Sequence, residues 1–357
     1  MKVGFILHDV SFGGGERVLN TLMDFMYRAG HEIFVFTWNE KWTKTNLPYK
    51  IILVQHYPNK FSKIRAYRSF LRNLKEHNPD CLITFSSSLA EVCIWAARKL
   101  HIPFIMSERV DPLFLPTSRF HRFFERLLYT LSDGLVFQTA KVQSFFSSRI
   151  ARKSIVIPNP ILDDHLPLIT DLSLIKPEIV SAGRLSDQKN FKLLIDAYAG
   201  LKTDYKLKIY GDGPLKSELS DQIQSLGLEN KVFLMGKVKR VVDEIQSSDI
   251  FVLPSLHEGM PNALMEAMAM GLSCICTDVP SYGARELIEN GFNGLIVPVN
   301  DKIQLEKAMK ELLENDELRH KLKLNAVKIR ETNSKNIIIP MWIEYINNVI
   351  ARKNINY

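Results

Sequence analysis

Ile250-Phe-Val-Leu-Pro254-Ser-Leu-His257-Glu258-Gly-Met-Pro261-Asn262-Ala-Leu-Met-Glu266-Ala-Met-Ala-Met270 reads as a strand, a loop and a helix in immediate succession. The apolar run Ile250–Pro254 suits a strand covered on both faces, as strands of parallel sheets are. Pro261 suits the first turn of the helix Asn262–Met270, where its missing N–H costs nothing. Glu258 then lies in the loop, and Glu266 lies about one turn beyond Asn262 on the same helix face. The amides around Met260–Ala263 point at the same place, where an anion is welcome. Carboxylates hold sugar hydroxyls, while amides and the helix dipole hold phosphate. A nucleotide sugar carries both. One glutamate alone would read as an acidic helix start complementing the macrodipole; the pair, at this spacing after this loop, points to a ligand.

Outward from this unit the alternation repeats. Toward the C-terminus, Cys274–Thr277 and Gly294–Val297 read as strands, and Arg285–Glu289, Ile303–Leu313 and Asp316–Arg330 as helices. Before it come strands Glu178–Ala182, Lys206–Tyr210 and Val232–Met235, with helices Phe191–Leu201, Leu215–Leu226 and Val241–Ser247. The segment from Pro158-Asn-Pro160 to Lys176-Pro177 lacks a sustained period and is rich in proline, aspartate and leucine, which marks a linker. On its far side lie strands Val3–Leu7, His31–Thr37, Cys81–Phe85, Pro103–Met106 and Gly134–Gln138. Helices Glu16–Arg28, Ser62–His77, Ser88–Leu100 and Arg119–Leu131 separate them. Repeated β-α alternation is the signature of a parallel sheet wrapped in helices. The expected class is α/β, with two Rossmann-like domains whose parallel sheets face across a cleft at the carboxyl ends of their strands. The expected boundaries are 1–165, 166–335 and 336–357, the last a helix (about Asn336–Ile350) returning to the first domain.

The 357 residues, 46% hydrophobic and 24% charged, exceed one typical core and exclude a disordered or collagen-like chain. Cys81, Cys93, Cys274 and Cys276 lie among apolar neighbours without metal-ligand spacing, so reduced thiols in a cytoplasmic setting are expected. The first apolar run is too short for a signal peptide, and none approaches the ~20 residues that span a bilayer. The net charge of +7 is unevenly placed. Residues 1–170 carry 22 Lys and Arg against 14 Asp and Glu, whereas residues 171–357 carry 24 against 25. The basic excess belongs to the first half, as a solvated surface, a polyanion site or a membrane-facing one.

Further motifs accompany the two glutamates. Ala182-Gly183-Arg184-Leu-Ser-Asp-Gln-Lys189-Asn190 sets two cations five residues apart between strand and helix, where fixed charge can neutralise a diphosphate leaving group. Tyr210-Gly-Asp-Gly-Pro214 is a turn, and Glu286-Leu-Ile-Glu-Asn-Gly-Phe-Asn-Gly294 runs into Leu-Ile-Val-Pro298. With Glu258-x₇-Glu266, these resemble in order the motifs of glycosyltransferase family 4, retaining enzymes of GT-B fold. The resemblance covers almost the whole second domain. It implies metal-independent transfer of a sugar, an N-acetylhexosamine or hexose, from a UDP-sugar, with retention and without a cofactor. Arg184 and Lys189 would clamp the donor diphosphate, Glu258 the sugar hydroxyls and Glu266 the ribose. Gly259, Met260, Asn262 and Ala263 would complete the donor site, and Lys237 and Val238 would flank the uracil.

Gly13-Gly14-Gly15-Glu16, between a strand and a helix, lets backbone amides approach a phosphate. It is not a Gly-x-Gly-x-x-Gly, so a dinucleotide dehydrogenase fits poorly. By resemblance Gly14 and Gly15 reach the donor phosphate. Ser107-Glu108-Arg109-Val110-Asp111-Pro112 is similar to the SER-N-DP segment of bacterial transferases that extend polyprenyl-diphosphate glycans, with Val110 in place of the Asn. That likeness implies a polyprenyl-diphosphate-linked glycan acceptor met by Glu108 and Arg109. His8, at the end of the first strand, is a further candidate contact. The basic, aromatic stretches Lys60–Lys75 and Phe114–Tyr129 suit an anionic membrane surface, although part of each apolar face must cover the sheet. No nucleic-acid-binding motif accompanies them, so nucleic acid is not an expected partner. The expected location is the inner face of the cell membrane, peripherally bound. Alternatives are a UDP-sugar epimerase of the same architecture and a non-catalytic nucleotide-sugar-binding subunit.

Overall fold

The computed structural model describes residues 1–7, 14–40, 47–55, 62–85, 87–109, 119–162, 166–167 and 175–355, with the backbone alone for Gly14, Ser87, Ser88 and Arg119–Phe124. The chain divides into two compact units: Met1–Pro160 with Lys335–Tyr357, and Ile161–Ser334. The boundaries thus fall after Pro160, rather than residue 165, and before Lys335.

In the first unit, β1 (Lys2–Leu7), α1 (Gly14–Arg28), β2 (Glu32–Thr37), β3 (Lys50–Leu53), α2 (Lys63–His77), β4 (Cys81–Thr84) and α3 (Ser87–Lys99) come first. Then follow β5 (Phe104–Ser107), α4 (Arg119–Leu131), β6 (Gly134–Phe137), α5 (Ala140–Ser144), α6 (Ser148–Ala151) and β7 (Ser154–Val156). The strands pair in parallel in the order β3-β2-β1-β4-β5-β6-β7. Because side chains alternate along a strand, β1 sends Phe5 and Leu7 to one core and Ile6 to the other. The C-terminal helix Lys335–Ile355 buries Ile338, Trp342, Tyr345 and Ile346 in the first of these. It seats closely on β6, because a Cβ on Gly134 would stand 2.8 Å from Val349 Cγ2. The Tyr345 hydroxyl accepts the Leu135 N–H at 2.8 Å and donates to the Lys153 carbonyl at 2.5 Å. The sequence pattern did not signal β3 and β7, edge strands that are incompletely buried and so leave no continuous apolar run, or α5 and α6, too short to show a helical period.

The second unit contains β8 (Lys176–Ala182), a 3₁₀ turn (Asp187–Lys189), α7 (Phe191–Ala199), β9 (Lys206–Tyr210), α8 (Lys216–Ser225), β10 (Val232–Gly236) and α9 (Val241–Ile245). It continues with β11 (Ser248–Leu253), α10 (Asn262–Ala269), β12 (Ser273–Thr277), β13 (Leu295–Val297), α11 (Lys302–Glu314), α12 (Asp316–Ala326) and α13 (Ile329–Thr332). Its parallel sheet has the order β10-β9-β8-β11-β12-β13. Every residue of β11 is buried; Phe251 and Leu253 face one core, Ile250 and Val252 the other. At its start Asp249, 5% exposed, accepts the Tyr205 hydroxyl at 2.7 Å and pairs with Arg319 at 3.0 Å and with Lys323. This network ties β11 to α12, and its charges are compensated where solvent cannot do so.

Two expected helices are corrected. Arg285–Glu289 is a run of turns, because the Asn293 side chain takes the Glu289 amide at 2.8 Å and Gly291 turns the chain at φ +76°. Asp316–Arg330 divides into α12 and α13, with Val327 capping the first. Pro261 is the N-cap of α10 rather than a member of its first turn. Gly14 and Gly15 open α1 itself instead of forming a loop ahead of it.

Candidate active site

In an open parallel sheet, ligands collect where the strand order reverses, beyond the carboxyl ends of the strands. In the second unit this point lies between β8 and β11, and the motifs converge there. Beyond β8, Arg184 is exposed and makes no side-chain hydrogen bond or ion pair among the described residues. Lys189 closes the 3₁₀ turn, and Asn190 follows in the left-handed region at φ 51°, a conformation that asparagine tolerates. The Lys189 stem runs over Gly183: a Cβ there would lie 3.0 Å from Lys189 Cε. Its ammonium reaches Glu258 Oε1 at 2.5 Å, with the side chains 18% and 11% exposed.

Glu258 is fixed from several directions. Ser255 Oγ donates to the same Oε1 at 2.8 Å. Ser281 Oγ donates to the Glu258 carbonyl at 2.5 Å, and Gln188 Nε2 donates to the His257 carbonyl at 2.9 Å. The Leu256 N–H donates to the Gln188 carbonyl at 2.8 Å, so the turn carrying Lys189 and the loop carrying Glu258 are stitched together. A Cβ on Gly283 would stand 1.7 Å from the Gly259 carbonyl oxygen, so only glycine permits these loops to approach. The neighbouring turn behaves alike: Gly211, at φ +146°, leaves room for the Gly183 carbonyl 1.8 Å from where its Cβ would be. The Gly211 N–H donates to Gly236 O, and Gly183 N–H to Tyr210 O, both at 2.9 Å. The loops after β8, β9 and β10 thus form one laced rim.

The remaining donor candidates occupy the same edge. Gly259, Asn262 and Ala263 are half-buried and Met260 is buried, at the start of α10. Among the described residues Pro261 makes no side-chain cap hydrogen bond to this first turn, and a helix start of this kind favours an anion. Glu266, 2% exposed, is enclosed one turn into α10. Lys237 is exposed and Val238 half-buried just beyond β10. That is three strands from β11, on the order of 14 Å across the sheet.

In the first unit, Glu108 and Arg109 follow β5. Glu108, 8% exposed, accepts the Arg109 N–H at 2.9 Å and the Tyr129 hydroxyl. The Arg109 guanidinium lies 4.2 Å from the Phe85 ring centroid and 5.4 Å from that of Trp342. Nη1 donates to Asn159 Oδ1 at 2.6 Å, while Nε and Nη2 are buried without a hydrogen-bond partner among the described residues. Burial lowers its pKa to about 9, against the opposing pull of Glu108. His8, Gly13, Lys60, Val110–Pro112 and Phe114 lie outside the described residues, as do the side chains of Arg119–Phe124; Gly14 is described by its backbone in α1, and Gly15 is half-buried. All four cysteines are free and buried.

The family model described as Glycosyl transferases group 1 matches residues 171–329, and that described as Glycosyltransferase Family 4 matches residues 12–164. A Campylobacter jejuni protein named N-acetylgalactosamine-N,N'-diacetylbacillosaminyl-diphospho-undecaprenol 4-alpha-N-acetylgalactosaminyltransferase is 31% identical, over 92% of this chain and 94% of that protein. The chain belongs to glycosyltransferase family 4.

This family 4 glycosyltransferase is also 28% identical to a second Campylobacter jejuni alpha-1,4-N-acetyl-D-galactosaminyltransferase, whose name specifies a GalNAc-containing undecaprenol-PP substrate; 98% of this chain and 99% of that protein are covered. In fold it matches Anabaena HepE in complex with UDP (TM-score 0.83, 19% identity, covering 98% of this chain and 100% of that one). It also matches TarM (TM-score 0.80, 15% identity, 97% and 99% covered). Both sheets of the glycosyltransferase accordingly have the GT-B arrangement of parallel strands. Ser255, Ser281, Gln188 and Gly283 support Glu258 but were not singled out from sequence. Ser255, three residues before Glu258, was within reach of that reading. Gly283 and Ser281 come from a loop more than twenty residues away, and no pattern announces their contact.

Proposed function

We propose that this glycosyltransferase moves an N-acetylhexosamine or hexose from a UDP-sugar to a polyprenyl-diphosphate-linked glycan, with retention and without a metal. The observation that carries the reading is the convergence of Arg184, Lys189, Glu258 and the start of α10 at the β8/β11 reversal point. Arg184 and Lys189, with the α10 amides, would offset charge developing on the departing UDP. Glu258 Oε2, to which no described residue donates, would accept from a donor-sugar hydroxyl. Lys237 and Val238, just beyond β10, would flank the uracil, and Glu266 would hold the ribose. The sugar–phosphate bond breaks as the acceptor oxygen bonds to the anomeric carbon from the same face. The acceptor proton passes to the leaving phosphate oxygen, as the family resemblance implies.

The names of the two Campylobacter relatives, which span nearly the whole chain, support the lipid-linked acceptor. Arg109 presents the Nε/Nη2 edge suited to a bidentate anion, and Gly14 and Gly15, opening α1, would lie near the donor phosphate. On α2, Arg65, Arg68, Arg72 and Lys75 form an exposed stripe opposite buried Ala66, Phe70 and Leu74. That stripe suits anionic lipid at the inner face of a cell membrane, and among the described residues no helix is long and apolar enough to cross one. Glu258→Ala should fold normally and lose turnover; near-normal turnover would overturn the donor-site assignment. Incubating the UDP-sugar alone separates transfer from epimerisation, since an epimerase would isomerise the donor without an acceptor.

A further inference from the structure

Resting on that reading, we infer that the Lys189–Glu258 ion pair is an interlock that makes diphosphate and sugar binding interdependent and drives UDP out once the sugar has left. Lys189 is the cation expected to meet the diphosphate, yet its ammonium is already committed to Glu258 Oε1 at 2.5 Å. The pair is mostly shielded from solvent, so its attraction is only weakly screened. Ser255 donates to the same oxygen at 2.8 Å, which keeps the carboxylate beside Lys189. Gly183 beneath the lysine stem and the Gln188 bonds to the Glu258 loop hold both partners in register. A diphosphate must therefore draw Lys189 away from Glu258, or share it.

The carboxylate left behind needs a replacement donor, and a hydroxyl of the donor sugar supplies one. UDP supplies none. UDP-sugar therefore satisfies both members of the pair, while UDP after transfer leaves Glu258 without its hydroxyl partner. Glu258 then reclaims Lys189 and weakens the hold on the product. Arg184, exposed and without an internal partner among the described residues, gives the diphosphate a first contact that breaks nothing.

The test is a double-mutant cycle read by calorimetric titration with UDP, on the full chain, for wild type, E258Q, K189Q and E258Q/K189Q, with each Tm recorded. The interlock predicts that E258Q binds UDP roughly three- to tenfold more tightly than wild type, although it loses turnover. It predicts that this gain disappears in the K189Q background. An unchanged or weaker UDP affinity in E258Q overturns the interlock. A gain that persists without Lys189 also overturns it, because that is general relief of carboxylate–phosphate repulsion. If wild type binds no UDP, the donor reading fails and the interlock with it; normal UDP binding without the coupled gain defeats the interlock alone. Should E258Q fold poorly, K189Q still decides: under the interlock its loss of UDP affinity is smaller than that of R184Q, whose cation is unopposed.

Discussion

Gly283→Ala probes whether the close approach of two loops positions Glu258. The added methyl would stand 1.7 Å from the Gly259 carbonyl oxygen, 2.8 Å from its carbonyl carbon and 3.3 Å from Met260 Cα. All three are backbone atoms, so no side chain can turn aside. Cβ contacts closer than 3.0 Å essentially never occur, which requires the loops to separate by about 1.3 Å. That movement acts on the residue next to Glu258 and on the 2.5 Å bond from Ser281 to the Glu258 carbonyl. Overpacking of this kind costs about 1–3 kcal/mol of stability, and a displacement near 1 Å at a reacting group costs on the order of 10²-fold in rate. Thermal denaturation and kcat/KM with the preferred donor measure the two effects separately. Ser281→Ala, which removes the bond without adding bulk, should cost only about 0.5–1.5 kcal/mol and less activity. A Gly283→Ala protein with wild-type Tm and kcat/KM would show that the approach does not hold Glu258 in place.

Asp249→Ala should lower stability by about 3–5 kcal/mol in urea titration, because it leaves Arg319 and Lys323 mostly buried beside one another without their shared carboxylate; a loss within error would make the network dispensable. Lys153 has its pKa lowered to about 8 by burial, with Asp133 opposing the shift. Between pH 8 and 10.5 the unfolded chain holds this proton and the folded one does not, so its contribution to stability rises with pH. The Tm of wild type relative to Lys153→Met should therefore increase across that window, and a constant difference would contradict the assignment. Arg109→Met should hold or raise Tm, since it removes a buried charge with two nitrogens that lack a hydrogen-bond partner among the described residues. The same variant should raise KM for the lipid-linked acceptor, and an unchanged KM would remove Arg109 from the acceptor site.

The β-α alternation and both sheets were legible because parallel strands buried on both faces leave continuous apolar runs, as in Ile250–Leu253. Pairs close in sequence were equally readable: Arg184 and Lys189 flank one turn, and Glu258 precedes α10 by four residues. Contacts that depend on tertiary folding were not. The Lys189–Glu258 pair joins residues 69 positions apart, and the enclosure of Arg109 by Phe85 and Trp342 brings together three distant segments. Ala284, Leu287 and Ile288 have helical spacing, yet residues 285–289 form turns, because the Asn293 side chain that ends the run lies beyond that pattern. Glu266 keeps its expected helix face, but only the packing shows that it is enclosed where Glu258 stays partly open.

Transfer itself is tested most directly by incubating the purified protein with a panel of UDP-sugars and short polyprenyl-diphosphate glycans, then determining product mass and anomeric configuration. The account predicts a product heavier by one sugar, α-linked from an α-linked donor, formed only when the acceptor is present. Isomerised donor without an acceptor, an inverted linkage, or no mass gain with any donor would contradict it.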